Sequence, residues 1–261
     1  MSGRAGDDGL VDFHTHAPAW QADSWLSGGG FTVEQFCGFM DVAGIATAVV
    51  LSYDGLFEPG DEANRRVGQF VGARPDRLVG FGTVNPRRPD AAEQMRRCFT
   101  EYGLRGLKLH PWLQGVSMHE AALDPVAEVV AVYGGVVLCH DGTPPYSTAS
   151  QIAAFARRHP RIAVVLGHAG LHDTWREAIA AVRETPNLYV CLCGVPPYAG
   201  RQIVAHCPLE RILFGSDAGL SPRAEQGYAL ARVREFAGWG LSPGQKQAIL
   251  RDNPRRLLEG S

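Results

Sequence analysis

A chain of 261 residues, 45% hydrophobic and 20% charged, is long enough for one large domain or two small ones and too apolar to be a disordered tail. Its 25 Lys and Arg nearly balance 27 Asp and Glu, for a formal net charge of -2, and basic residues form no run longer than a pair such as Arg87-Arg88, so neither a nucleic-acid nor a membrane partner is expected. Six cysteines, at 37, 98, 139, 191, 193 and 207, sit in apolar stretches without CxxC spacing, and no leader or membrane-spanning run is seen, which points to a reducing, cytoplasmic setting.

Along the chain a short β-branched run, a polar turn with Gly or Pro and an amphipathic helical segment recur eight times. The strands are expected at 10–14, 45–52, 78–84, 105–110, 135–140, 162–167, 188–193 and 211–215, mostly as continuous apolar runs, the pattern of strands buried on both faces. Helix starts are marked by Thr32 before Glu34 and Gln35, by Pro89-Asp90, by Ser147-Thr148 and by His172-Asp173. Strict alternation predicts a parallel sheet with helical crossovers, closed as one (β/α)8 TIM barrel over residues 1–261, with short closing helices at 243–250 and 254–258. A doubly wound open sheet would call for a glycine-rich phosphate loop, and neither GxGxxG nor GxxxxGK[ST] occurs; Gly28-Gly29-Gly30 reads instead as a flexible loop over the barrel mouth.

The polar residues that interrupt this apolar plan fall at the C-terminal ends of strands, where barrels place active sites. In Asp12-Phe13-His14-Thr15-His16, residues two apart share a face, so His14 and His16 are placed to meet one metal ion. His110, His140, His168 and Asp217 close strands four, five, six and eight, and that recurrence gives the His-x-His pair its weight. Asp217 reads as a metal-side carboxylate or a helix cap, and His140 as a ligand or a polar strand end. His168 is open to both a ligand and an acid-base role. Lys108 shares a face with His110; it can pair with a carboxylate, bind a substrate anion or, carbamylated, bridge two ions. His119, His159, His172 and His206 read as surface or capping residues, and Cys191 and Cys193 as buried packing.

The motifs DFHTH, GLKLHP, CHDG, LGHAG, LFGSD and NPRRLL, spread over residues 12 to 258, resemble the amidohydrolase superfamily. The resemblance is to its metal-dependent TIM-barrel branch of decarboxylases and lactonases, which includes aminocarboxymuconate semialdehyde decarboxylase. It implies a divalent ion, most often zinc, held by His14, His16, His140 and Asp217, with His168 beside the reacting water as acid or base or on a second ion. Asp217 and His168 are the catalytic candidates, Asp217 to shuttle the proton of that water; manganese is the second choice of ion, and Lys108 and His110 remain candidate substrate or second-metal residues. GSDAG lacks the proline that often follows this aspartate, and the compact barrel leaves a lid to segment 17–31, loop 53–63 or a partner subunit.

Trp20, Trp25, Phe31, Tyr53, Phe57, Trp112, Tyr146 and Tyr198 follow strands and are candidates to line a pocket for an apolar small-molecule substrate, and Arg65, Arg201 and Arg223 are candidate carboxylate clamps. The leading expectation is a metal-dependent hydrolase of an amide, ester or lactone. The alternatives are a metal-dependent non-oxidative decarboxylase of an aromatic or enoic acid and a non-catalytic ligand-binding barrel. A homodimer through outer helices is compatible with the sequence, which contains nothing that demands it.

Overall fold

In the computed structural model, residues 9–18, 30–220 and 225–260 are described, and they include eight parallel strands in one sheet. These are β1 (Leu10–His16), β2 (Ile45–Leu51), β3 (Leu78–Gly82), β4 (Gly106–Leu109), β5 (Val136–Cys139), β6 (Ala163–Leu166), β7 (Leu188–Cys191) and β8 (Ile212–Leu213), each paired with the next in sequence. The expected α/β barrel is therefore the observed fold. β8 is shorter than the predicted 211–215 because the chain beyond it leaves the ladder to close the seam with β1. There Phe13 N–H donates to Phe214 O (2.8 Å), Asp217 N–H to His14 O (2.9 Å) and His16 N–H to Ala218 O (2.6 Å).

Alternation along the strands divides the core in two. One apolar set packs between sheet and helices, while Val11, Phe13, Val49, Leu51, Phe81, Val136, Leu138, Val165, Cys191, Cys193 and Leu213 form a separate cluster within the barrel. Two of the predicted helix starts are closed by reciprocal capping boxes, Thr32 with Gln35 before Val33–Ala43 and Thr148 with Gln151 before Ala149–Arg158. Among the described residues no helix is long and apolar enough to cross a membrane.

At the C-terminus the predicted pair of helices is one continuous helical stretch, in which Pro243–Gln247 and Asn253–Glu259 flank a π turn at Ala248–Asp252. Pro254 has no N–H and its ring crowds the preceding turn, and the widened turn ahead of it accommodates both. Asn253, the first residue of the NPRRLL motif, donates from Nδ2 to the carbonyls of Leu209 (2.7 Å) and Ile212 (2.9 Å), fastening this helix under β8. Asn253→Ala strands two carbonyls on buried or half-buried backbone, and urea unfolding is expected to show a loss of roughly 2–3 kcal/mol. A loss below about 0.5 kcal/mol, the range of an ordinary surface change, would refute this role.

Candidate metal centre and its cavity

Phe13 faces the barrel interior, and so does His14, its immediate neighbour, which a regular strand forbids. The β1–β2 register resolves the conflict. Asp12 pairs with Ala48 and Thr15 with Val50, so three steps on β1 match two on β2, and the extra residue is a bulge that turns His14 and His16 toward the axis. Two glycines clear the space: a Cβ on Gly215 would lie 2.6 Å from His14 Cβ, and one on Gly167 would lie 3.0 Å from His14 Cε1.

His14 Nδ1 donates to the Gly167 carbonyl at 3.0 Å, which leaves Nε2 as the lone-pair nitrogen. That atom lies 3.6 Å from Asp217 Oδ1 and 3.1 Å from Lys108 Nζ, and His16 Nε2 lies 3.2 Å from the same Asp217 oxygen. Ligand atoms of His14, His16 and Asp217 thus fall within 4.8 Å of one another. Asp217 has φ 63°, a left-handed conformation that Asp tolerates better than most side chains, so backbone strain is spent on aiming this carboxylate.

Protonation suits a cation. Burial, reinforced by Lys108, holds the His14 imidazole well below its ordinary value, and burial lowers His16 as well against the pull of Asp217. Burial alone would raise Asp217, yet the His16 hydrogen bond and the Lys108 charge help to hold it at about 2. Two neutral imidazoles and one carboxylate are the donors of a borderline divalent ion. His16 Nδ1 is buried without a hydrogen-bond partner among the described residues, leaving a polar cluster incomplete by itself. On these grounds the residues fit a divalent metal.

Two buried acids that sequence reasoning passed over position the centre. Asp12 Oδ1 accepts from the backbone N–H of His14 (3.2 Å) and of Ser216 (3.0 Å), tying the strand that carries the histidines to the segment that carries Asp217. Asp141, beside His140 in CHDG, accepts from His168 N–H (2.5 Å) and Gly170 N–H (2.6 Å). It thereby pins a turn in which Ala169, Gly170 and Leu171 all have positive φ. The aspartates in DFHTH and CHDG were the available signal, an acid at the end of an apolar run that has to find donors.

The remaining predicted residues surround this core. His168 Nδ1 donates to Cys193 O (3.3 Å), leaving Nε2 free on a ring that burial keeps neutral, with its pKa lowered to about 4. His140 lies outside the group of His14, His16 and Asp217; its ring stands 4.4 Å from that of His168 and stacks at 3.8 Å on His110. His110 Nδ1 accepts from Leu113 N–H and caps the short helix Pro111–Gln114, and burial pushes its pKa down to about 2. Lys108 is 1% exposed, and burial lowers its pKa to about 8 although Asp217 pulls the other way.

Above these groups opens a cavity of about 220 Å³, floored by His16, Lys108, His110, His140, His168 and Asp217 and walled by Tyr53, Leu56, Phe57, Trp112, Leu113 and Leu220. Three of the eight candidate aromatics line it. Phe31 instead stacks on Phe36 at 5.4 Å in the outer core, because a ring beside the start of a buried helix gains more from packing than from solvent. Tyr198 packs edge-on against Trp175, Tyr146 is exposed, and Trp20 and Trp25 lie outside the described residues, as do Gly28 and Gly29.

Among the described lining residues there is no arginine. Arg65 is engaged by Glu62 on an exposed helix face, Arg201 is exposed on Pro197–His206, and Arg223 lies outside the described residues. His159 is a capping residue, as one of the two expected roles had it, closing the C-terminus of Ala149–Arg158, but it is buried and paired with Asp124 at 2.9 Å and not on the surface.

The amidohydrolase family profile matches residues 11–260, and the chain belongs to this family. It is 26% identical over 202 residues to an L-fucono-1,5-lactonase of Burkholderia ambifaria, covering 66% of this chain and 67% of that one. It is 27% identical over 78 residues to a 2-amino-3-carboxymuconate-6-semialdehyde decarboxylase of Dictyostelium discoideum, which is 30% of this chain and only 22% of the relative. Its fold is shared with the crystal structure of 5-carboxyvanillate decarboxylase LigW2 of Novosphingobium aromaticivorans with bound manganese, at a TM-score of 0.74, 16% identity and 99% coverage of both chains.

Proposed function

We propose that the protein is a metal-dependent hydrolase of a small-molecule lactone or ester, with amides as the wider class. The observation that carries this is the convergence of His14, His16 and Asp217 beside the free Nε2 of His168, at the floor of a cavity with apolar walls and no arginine among its described lining residues. The match to a lactonase across 66% of the chain supports the same reading.

His14, His16 and Asp217 would hold the divalent ion, zinc or manganese, while His140, outside that group, lines the cavity beside His168. When bound, such an ion lowers the pKa of water toward neutrality and polarises a carbonyl. His168, neutral at pH 7 and oriented through Nδ1, takes a proton at Nε2 from the attacking water and returns it to the leaving oxygen. Lys108 supplies a positive charge toward the oxygen that becomes negative. Tyr53, Phe57 and Trp112 press on the apolar body of the substrate and exclude bulk water. The cavity is below the span of roughly 300–1,000 Å³ typical of drug-sized ligands, which restricts the substrate to a small molecule.

The test is a panel of sugar and aromatic lactones, simple esters and amides, and aromatic carboxylic acids, assayed with zinc- and manganese-loaded protein. Lactone or ester turnover that disappears on chelation and in His168→Ala is the expected result. Release of carbon dioxide from an aromatic acid with no hydrolysis across the panel would replace this reading with decarboxylation, and turnover of neither class would leave a binding protein.

A further inference from the structure

A second donor set shares His14 with the centre above. Ligand atoms of His14, His168 and Cys193 also lie within 4.8 Å of one another, and all three residues are buried. Among the described residues no other cysteine joins such a group. Cys193 lies just beyond β7 and belongs to the barrel-interior cluster, so its side chain points to the axis and not toward the helices. The approach of ring and thiol is prepared by neighbours. A Cβ on Gly215 would lie 2.6 Å from His14 Cβ and 3.2 Å from Cys193 Cβ, and only its absence lets the two side chains meet there. The His168 ring is held against the same residue by its Nδ1 bond to Cys193 O.

We propose that His14, His168 and Cys193 form an alternative metal position, selective for thiophilic divalent ions such as cadmium or zinc, which competes with the nitrogen and oxygen position of His14, His16 and Asp217 for the one lone pair of His14 Nε2. The reasoning is that of donor softness. Two imidazoles with a thiolate favour soft and borderline ions, whereas two imidazoles with a carboxylate also accept manganese, which has little affinity for sulfur. On binding, the ion replaces the thiol proton, which leaves to water through the cavity that His168 lines. His14 is common to the two sets, while Cys193 serves only the sulfur-containing one and His16 only the carboxylate-containing one.

The test is titration of the full-length protein with cadmium chloride, followed by ultraviolet thiolate-to-cadmium charge-transfer absorption, with manganese affinity measured in parallel. The parent, Cys191→Ser and His16→Ala are expected to develop the absorption, and Cys193→Ser to lack it while binding manganese as the parent does. His168→Ala, which keeps the thiol, is expected to weaken cadmium binding at least about tenfold, the lower end of what loss of a supporting group costs. This variant serves also if Cys193→Ser fails to fold. Absorption that persists in Cys193→Ser, that is missing from the parent, or that is lost in Cys191→Ser would overturn the proposal. So would loss of manganese together with cadmium in a folded Cys193→Ser. None of these readouts uses turnover, so failure of the proposed hydrolysis leaves them intact.

Discussion

Asp217→Asn is expected to lower kcat/KM on any lactone or ester the protein turns over by at least about 10²-fold, the upper end of what loss of a group that merely supports a metal ligand costs. The substituted amide has the size of the carboxylate and accepts the left-handed backbone at φ 63° readily, so the geometry of the seam with His14 O is kept. What is lost is the negative charge that His16 Nε2 approaches at 3.2 Å and that His14 Nε2 approaches at 3.6 Å. Dialysed protein should then retain little metal by elemental analysis, while circular dichroism and thermal melting remain close to the parent. Full metal occupancy with full activity in this variant would remove Asp217 from the centre, and the hydrolase reading with it.

The largest expected loss of stability comes from a residue that touches no substrate. Gly219 has φ +97°, and a Cβ built there would lie 1.9 Å from the carbonyl oxygen of His16. The obstacle is backbone on β1 and cannot rotate away, so Gly219→Ala must pull the loop after Asp217 off the strand that carries the histidines. Left-handed strain and overpacking together predict a loss of roughly 3–5 kcal/mol in urea unfolding. Gly240→Ala is the control: φ is +74° with nothing within 4 Å of the added carbon, so only the conformational cost of about 1–2 kcal/mol should appear. Equal losses in the two variants would mean that the contact with His16 is relieved at no cost.

The residues legible in advance were those whose environment is dictated by the period of their own element. Apolar runs at 45–52 or 135–140 mark strands covered on both faces wherever the neighbours come from. Thr32 and Thr148 cap helices through partners three residues away, and a local pattern suffices for that. The recurrence of His14, His16, His110, His140, His168 and Asp217 at strand ends marked the mouth of the barrel, and all of them lie around the described site.

What stayed hidden depends on residues far apart in the chain. Arg65 had the chemistry of a carboxylate clamp, but its i, i+3 partner Glu62 holds it on an exposed face. Phe31 had the position of a pocket aromatic, but the rings of Phe36 and Phe70 were there to bury it. Cys191 and Cys193 pack in the barrel interior as expected, and only the nearness of Cys193 to His14 and His168, which spans three strands, had no local signal.

The sequence by itself determined the eightfold alternation, the ends of the strands as the place of chemistry and a donor inventory suited to a divalent ion, because period and residue type are local properties. The tertiary structure alone decided which donors converge. The bulge in β1, the clearance at Gly167 and Gly215 and the seam held by Asp12 bring His14 to both Asp217 and Cys193. Convergence of this kind is set by closure of the barrel, which places residues about 200 positions apart within hydrogen-bonding reach.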